Sequence, residues 1–218
     1  MFINDYMSKN PYCITKDTTV SKALEIMSQY NFRRIPVVDE NKVLIGLVTE
    51  STISENTPSN ATSLSIYELN YLISKTKVED IMVRKVNTVK KEMLLEEAAL
   101  MMRNNNVQSL VVVDDDLKVE GIITQNDIFD AFIDILGYYR KGIRFEIKIK
   151  EDSVGVLNKI TNIFYVNNAN ILDVTVFHNS NIIDVVILAS TNDPDLVLSE
   201  LEKNGYKASA ELNEHVIN

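Results

Sequence analysis

The chain has 218 residues, of which 22 are Lys or Arg and 31 are Asp or Glu, so its formal net charge is −9. This acidic balance argues against a nucleic-acid partner, because phosphate backbones are bound by an excess of cations. The single cysteine excludes an intramolecular disulfide framework and an all-cysteine metal site within one chain. No apolar run is long enough to cross a bilayer, and the N-terminus lacks the features of a signal peptide. These features predict a cytoplasmic protein without a membrane partner.

The residue types that carry catalysis are sparse. The six glycines are too widely spaced for a Gly-x-Gly-x-x-Gly turn or a Walker loop, so a bound phosphate must be held by side chains and scattered backbone amides. No Ser or Cys stands in a nucleophile-elbow pattern. The two histidines, His178 and His215, are far apart and lack neighbours at metal-ligand spacing. We therefore predict no metal, no cofactor and no catalytic centre, and we expect His178 at the surface near a hairpin.

An internal repeat organises the first two thirds of the chain. Residues 4–53 match residues 79–128 without a gap, and Gly46 and Thr49 recur as Gly121 and Thr124. The residue pattern of each copy predicts an extended start, a helix, a hairpin of two apolar strands and a second helix after the threonine. The predicted order of elements is therefore β-α-β-β-α. The apolar positions of the first helix are spaced i, i+3, i+4 and i+7. They are Val20, Ala23, Leu24 and Met27 in the first copy and Leu95, Ala98, Ala99 and Met102 in the second.

This repeat resembles the CBS domain, a module that occurs in tandem pairs. The likeness lies in Asp-Tyr-Met at residues 5–7, Asp-Ile-Met at 80–82, Arg-Ile-Pro-Val-Val-Asp at 34–39 and Gly-Ile-Ile-Thr-Gln-Asn-Asp-Ile at 121–128. It implies one CBS domain over residues 1–54 and another over 78–136. The intervening residues 55–77 read as a linker with a short helix, opened by a capping box from Ser65 to Glu68. Residues 61–73 of this linker are similar to the inter-repeat segment of the AcuB-like acetoin-utilisation CBS proteins.

The pattern changes after Gly142. Phe145, Ile147 and Ile149 alternate with charged residues, which predicts a strand with one buried face. A helix with the apolar stripe Leu157, Ile160 and Phe164 should follow, and then strands over residues 171–177 and 182–188. Asp193 and Pro194 predict the start of a last helix, Gly205 its left-handed end, and residues 207–212 a closing strand.

This βαββαβ order and the turn Asp-x-x-Gly-Val-Leu at residues 152–157 resemble the ACT domain, which often binds amino acids between paired copies. The expected fold is therefore α/β (α+β): two CBS β-α-β-β-α repeats forming a CBS pair, followed by a ferredoxin-like βαββαβ ACT domain over residues 143–218. The resemblance implies an amino-acid effector site formed by Asp152, Val154, Gly155, Val156 and Asn170. Val154 replaces the usual proline, so we expect weak or no amino-acid binding. In the alternative, Gly155 serves only the backbone of a tight turn.

The CBS resemblance also implies a nucleotide site. In such pairs an aspartate three residues after a Ser or Thr often holds the ribose hydroxyls, which gives Thr124 and Asp127 in the second copy. The first copy has Thr52 at the corresponding place and lacks this carboxylate. The two clefts should therefore differ, and only the one that uses Asp127 should bind a nucleotide well. In the alternative, Thr124 and Asp127 merely cap a helix.

Further residues are assigned to this cleft by the same resemblance. Arg33 and Arg34 suit a phosphate and stand where the second copy has Gln108 and Ser109, so the arginines should share one cleft with Asp127. The adenine should lie against apolar and backbone groups near Tyr12, Cys13 and Ile14. The alternatives are a solvated pair of arginines and, for Cys13, a small buried residue.

The combined prediction is a non-catalytic regulatory protein that senses an adenine nucleotide of the AMP, ADP or ATP class. The ACT module should serve dimerisation or amino-acid sensing, and we expect a homodimer. The AcuB-like resemblance links the protein to acetoin catabolism, and its regulated protein partner is not identified by the sequence. Two alternatives stay open: a scaffold with degenerate ligand sites, and an enzyme that acts on the bound nucleotide.

Overall fold

The computed structural model describes residues 1–57, 66–151, 153–178 and 183–214. The chain divides into two compact units, Met1–Ile128 and Phe129–Asn218. The predicted capping box at Ser65 and the predicted effector residue Asp152 lie outside the described residues. So does His215, whereas His178 is exposed, as predicted, at the end of a strand.

The first repeat has the predicted order β-α-β-β-α. Its elements are α1 (Ile3–Tyr6), β1 (Ser8–Lys9), β2 (Ile14–Thr15), α2 (Val20–Tyr30), β3 (Arg34–Val38), β4 (Leu44–Thr49) and α3 (Glu50–Glu55), and α4 (Ile66–Lys75) follows them. β2 and β3 run parallel, and β3 and β4 form the expected hairpin. The repeat pattern did not predict the short elements α1 and β1.

The second repeat follows the same plan. Its elements are α5 (Val78–Ile81), β5 (Thr88–Val89), α6 (Leu95–Asn105), β6 (Ser109–Val113), β7 (Val119–Thr124) and α7 (Gln125–Ile135). Its sheet has the order β1-β7-β6-β5, so β1 of the first repeat pairs with β7 of the second. An isolated bridge between Leu47 and Val83 is the reciprocal contact. Each repeat therefore donates its N-terminal segment to the sheet of the other.

The first helix of each repeat is fixed by local signals. Thr19 caps α2 by accepting a hydrogen bond from the Lys22 N–H at 3.2 Å. The C-terminal caps Asn31 and Asn106 both adopt the left-handed conformation, with φ of 55° and 52°. The predicted apolar stripe of α2 is confirmed, since Val20, Ala23 and Met27 are buried and Leu24 packs against them.

The second unit has the predicted βαββαβ order. Its elements are β8 (Gly142–Ile149), α8 (Val156–Val166), β9 (Asn170–His178), β10 (Ile183–Ser190), α9 (Pro194–Lys203) and β11 (Lys207–Asn213). The antiparallel sheet has the order β11-β8-β10-β9, a ferredoxin-like arrangement. Both helices pack on one face, where the rings of Phe145 and Phe164 meet edge to face at 5.1 Å between centroids. The fold is thus mixed α/β, as predicted.

The last helix of the second unit begins and ends as predicted, but one residue of α8 is more exposed than the sequence predicted. Asp193 caps α9 by accepting from the Leu196 N–H at 3.0 Å, and Gly205 has a φ of 85° after the end of this helix. The prediction that Leu157 lies on the buried stripe of α8 is wrong, because Leu157 is 45% exposed. The buried face is centred on Val156, Ile160 and Ile163, which leaves Leu157 at its margin.

Candidate ligand-binding clefts

Two cavities of similar size lie in the first unit. The first cleft has a volume of about 490 Å³ and is lined by residues 8–12, 31–34, 108, 122 and 124–126. The second cleft has a volume of about 570 Å³ and is lined by residues 33, 34, 47, 49–52, 55, 83, 85–87 and 106–109. Nearly every position of one cleft has its repeat counterpart in the other. Both volumes fall in the range of small-molecule sites, roughly 300–1,000 Å³.

The same backbone contacts build both clefts. The Glu50 N–H donates to the Arg33 carbonyl at 3.0 Å, and the Gln125 N–H donates to the Gln108 carbonyl at 3.1 Å. Each contact fixes the start of a helix, α3 or α7, beside the residue that precedes the hairpin of the same repeat. Duplicated sequence thus produces two related clefts, and their difference depends on the side chains.

The first cleft is cationic and partly aromatic. Among the described residues, its lining includes Lys9, Arg33 and Arg34 but no carboxylate, and it includes the rings of Tyr12 and Phe32. Tyr30 stacks between these two rings, with centroid distances of 5.7 Å to Tyr12 and 5.5 Å to Phe32. The rings offer apolar surface on which a base could stack, and the cations offer partners for an anionic group.

The second cleft differs in both respects. Lys85 joins the two arginines there, but Glu50 and Glu55 also line the cavity. Asn87 and Val107 stand where the first cleft has Tyr12 and Phe32, so none of the described residues that line the second cleft is aromatic. It is therefore the less cationic of the two and has no ring on which a base could stack.

The arginines line the first cleft, to which the sequence prediction assigned them, but they are not confined to it. Arg33 and Arg34 line both cavities, and so does Gln108, whereas Ser109 lines only the second. The Arg34 Nη2 donates to the Gln108 Oε1 at 3.4 Å, so residues that were predicted to belong to different clefts are in contact. Burial and the Arg33 charge lower the pKa of Arg34, and the carboxylates of Asp127 and Glu50 partly offset this shift.

Thr124 and Asp127 form a capping box at the start of α7. The Asp127 Oδ2 accepts from the Thr124 N–H at 2.7 Å and from its hydroxyl at 2.8 Å, and the Asp127 N–H donates to the Thr124 Oγ1 at 3.3 Å. The capping alternative is thus realised. The other carboxylate oxygen, Oδ1, makes no hydrogen bond within the described part of the chain, and Thr124 itself lines the first cleft. Capping therefore uses only one of the two carboxylate oxygens. Asp127 follows the lining residue Asn126 but is not itself among the residues that line the cleft.

The three residues assigned to the adenine are placed differently from one another. Tyr12 lines the first cleft and is 46% exposed. Ile14 is buried in the core of the first repeat, and Cys13 is half-buried with its Sγ donating to the Pro11 carbonyl at 3.3 Å. Burial raises the pKa of the Cys13 thiol, and the Lys42 charge opposes this only in part. Neither Cys13 nor Ile14 is among the residues that line the cleft.

Sequence reasoning missed several lining residues. Lys9, Asn10, Phe32 and Gln125 line the first cleft but were not predicted. The repeat carried a signal for these residues, because most positions that line one cleft correspond to positions that line the other. These positions include residues of β1 and of the helix starts. The missing information was that β1 crosses to the sheet of the second repeat.

The predicted effector residues that the structure describes in the second unit are mostly exposed. Val154 is fully exposed, Asn170 is exposed at the start of β9, and Val156 is partly buried against the core. Gly155 caps α8 with a φ of 89°, a conformation that accounts for a glycine here without any ligand. No group of three or more His, Cys, Asp or Glu that could hold a metal ion occurs in the described ranges.

The family of the chain follows from a match to its repeats. The model of the CBS domain matches residues 3–57 and 78–134, just over half of the chain. The chain belongs to the CBS-domain family. The two matched ranges form a tandem CBS pair, and the predicted resemblance is confirmed. Among the helices that the structure describes, none is long and apolar enough to cross a membrane.

Three solved structures show what the CBS pair is similar to. A CBS domain pair in complex with 5′-methylthioadenosine and S-adenosyl-L-methionine is 27% identical, with a TM-score of 0.51, over 61% of this chain and 99% of that one. CBSX2, a protein of Arabidopsis thaliana, in complex with AMP is 29% identical, with a TM-score of 0.52, over 62% and 98%. A putative acetoin utilization protein of Vibrio cholerae is 26% identical, with a TM-score of 0.52, over 62% and 93%.

An enzyme is also similar to this chain, but the similarity covers only a small part of the enzyme. L-aspartate semialdehyde sulfurtransferase of Methanocaldococcus jannaschii is 28% identical over 130 residues, which are 60% of this chain and 23% of the enzyme. This chain covers 46% of the length of a second relative from that organism, a protein of uncharacterised function. The chain thus spans less than half of the length of either relative.

Proposed function

We propose that this protein is a non-catalytic regulator whose CBS pair binds one adenine nucleotide, of the AMP, ADP or ATP class, in the first cleft. The observation that carries the proposal is the lining of this cleft, where three cations and two aromatic rings occur without a carboxylate. The AMP complex of CBSX2 supports the ligand class. The likeness to the Vibrio cholerae protein supports a role in acetoin utilisation.

The chemistry of the cleft suggests how the nucleotide would be held. The base would stack on the ring of Tyr12 or Phe32, and the phosphate would contact Lys9 and the arginines. The Oδ1 of Asp127 would accept from a ribose hydroxyl, since Oδ2 is used by Thr124. No step of this mode of binding requires a metal or a second cofactor.

Calorimetry and thermal unfolding with AMP test the proposal. We expect one tightly bound AMP per chain. At a hundredfold excess over the dissociation constant, binding should add about 2.7 kcal/mol to the free energy of unfolding. For a chain of this length this corresponds to a rise of roughly 5 to 10 °C in Tm. Incubation with ATP and Mg²⁺ should leave the ATP intact.

Tyr12→Ala and Asn87→Ala form a matched pair of variants, because these residues occupy the same position in the two repeats. Tyr12→Ala should weaken AMP binding by about ten- to a hundredfold, since a stacked base contributes roughly 1–3 kcal/mol. Asn87→Ala should leave the affinity of the first AMP unchanged. Equal affinities in Tyr12→Ala and the wild type would show that AMP does not bind in this cleft.

For the second unit we propose an ACT-like module that joins two copies of the chain through β9, with weak or no amino-acid binding. β9 is an edge strand whose Val174 and Val176 are 40% and 37% exposed. The opposite edge, β11, carries the charges of Lys207 and Glu211, which protect an edge against pairing. Arg140 contacts this strand at the Leu172 carbonyl and at Asp173, but residues 174–177 carry no charge. This uncharged stretch is suited to a second copy related by two-fold symmetry.

Light scattering tests this dimer. The wild type should have twice the 24.7 kDa mass of one chain. Val176→Lys should give the mass of one chain, because it places a charge at the proposed interface. Glu211→Lys, on the opposite edge, should remain dimeric. A dimer that survives Val176→Lys would mean that the copies associate through another surface.

A further inference from the structure

The two clefts share a wall. Arg33, Arg34 and Gln108 line both cavities, and the guanidinium of Arg34 contacts the Gln108 side chain at 3.4 Å. Because the repeat counterparts of the arginines are Gln108 and Ser109, the duplication supplies this wall with arginines from one copy only. Two ligand sites therefore have one pair of guanidinium groups between them.

Arg34 responds to both clefts electrostatically. The carboxylates that act on its charge are Asp127 on α7, beside the first cleft, and Glu50 on α3, which lines the second. The Arg34 side chain is half-buried and bonded to Gln108, so it is not a freely solvated group. A guanidinium in this position can turn its donors toward either cavity, but not fully toward both.

We propose that Arg33 and Arg34 are a phosphate anchor shared by the two clefts, so that a nucleotide phosphate bound in the first cleft weakens the binding of a second phosphate ligand in the other. This inference rests on the proposed nucleotide site and adds its regulation. Two causes act together. A guanidinium engaged bidentately by one phosphate has fewer donors for another, and two phosphates close to the same wall repel each other.

The second cleft depends on the arginines more than the first does. Apart from them it has one cation, Lys85, against the carboxylates of Glu50 and Glu55. The first cleft keeps Lys9 and has no opposing carboxylate among its lining residues. The nucleotide of the first cleft should therefore take the arginines, and the second cleft should bind phosphate well only while the first is empty.

AMP titrations of two proteins test this coupling at constant ionic strength. In the double variant Lys9→Ala Tyr12→Ala, both changes affect exposed residues that line only the first cleft. We expect the dissociation constant of AMP for the second cleft of this variant to be at least fivefold lower than that of the second AMP bound by the wild type. A coupling of this size between two sites is within the usual range. Adding Lys85→Ala to the double variant should abolish most of the remaining binding.

A gain of affinity provides the complementary experiment. Gln108→Arg restores a cation at the repeat counterpart of Arg33, and it should strengthen the second AMP step about tenfold. Asn104→Arg adds the same charge at an exposed position that lines neither cleft, and it should leave this step unchanged.

The outcomes separate this inference from the proposed function. A wild type that binds no AMP at all would contradict both. A wild type that binds one AMP tightly, combined with a double variant whose remaining site is no tighter than the second step of the wild type, would overturn the shared anchor alone. Equal effects of Gln108→Arg and Asn104→Arg on the affinity for the second AMP would likewise overturn the shared anchor alone.

Discussion

At the scale of single residues, Asp127 shows how one side chain can serve structure and ligand together. One of its carboxylate oxygens closes the capping box with Thr124, and the other makes no hydrogen bond among the described residues. Its counterpart, Thr52, is buried and exchanges a hydrogen bond with the Thr49 hydroxyl at 2.7 Å. Both side chains thus contact the threonine at the start of the helix, but only the second copy offers a carboxylate.

Two substitutions of Asp127 should separate these roles. Asp127→Ala should lower the free energy of unfolding by about 1 kcal/mol through the lost cap, and it should remove most of the stabilisation by AMP. Asp127→Asn keeps a neutral acceptor for the Thr124 N–H, so it should retain most of the stability while AMP still binds more weakly. Urea unfolding and calorimetry measure the two effects. Full AMP stabilisation in Asp127→Ala would remove Asp127 from the site.

At the scale of elements, the helices begin and end at residues whose side chains or backbone satisfy the terminal groups. Asp193 and Pro194 start α9, and the left-handed Asn31 and Asn106 end α2 and α6. These signals act within one helical turn, so they operate before distant parts of the chain meet.

The cap of α9 gives a prediction for the second unit. Asp193→Ala should lower the free energy of unfolding by about 1 kcal/mol, because the Leu196 N–H loses its acceptor at 3.0 Å. Glu202→Ala, on an exposed face of the same helix, should change it by no more than about 0.5 kcal/mol. Denaturant titration of both variants measures the difference, and equal losses would show that the cap contributes nothing specific.

At the scale of the whole first unit, the repeats are locked together by reciprocal contacts. A Cβ built on Gly121 would lie 2.5 Å from the Met7 Sδ, and one on Gly46 would lie 2.5 Å from the Met82 Sδ. Each methionine belongs to the repeat opposite to its glycine. This reciprocity accounts for the recurrence of Met7 and Gly46 as Met82 and Gly121.

A double-mutant cycle tests the lock. Gly121→Val should destabilise the protein by about 1–3 kcal/mol, because the added side chain overlaps Met7 and approaches the Ser8 carbonyl. In a Met7→Ala background the same change should cost less, since the space left by the methionine receives the valine. Additive losses, measured by urea unfolding, would contradict a direct contact between these residues.

The sequence by itself determined the repeat, the order of elements in both units and most helix boundaries. Periodicity, caps and turn residues act over a few positions, so they can be read without knowing what lies opposite. The apolar stripe of α2 and the start of α9 at Asp193 are examples. The CBS family could be recognised for the same reason, because its motifs are short and recur in both copies.

Only the tertiary structure decided which residues share a surface. The pairing of β1 with β7, the position of Lys9 and Phe32 in the first cleft and the exposure of Leu157 all depend on segments far apart in sequence. The sequence assigned Arg33 and Arg34 to one cleft and Gln108 and Ser109 to the other, whereas in the fold both arginines and Gln108 line both clefts. Local patterns fix which face of an element is apolar, but the side chains that meet across a cleft are fixed by the packing of one repeat against the other.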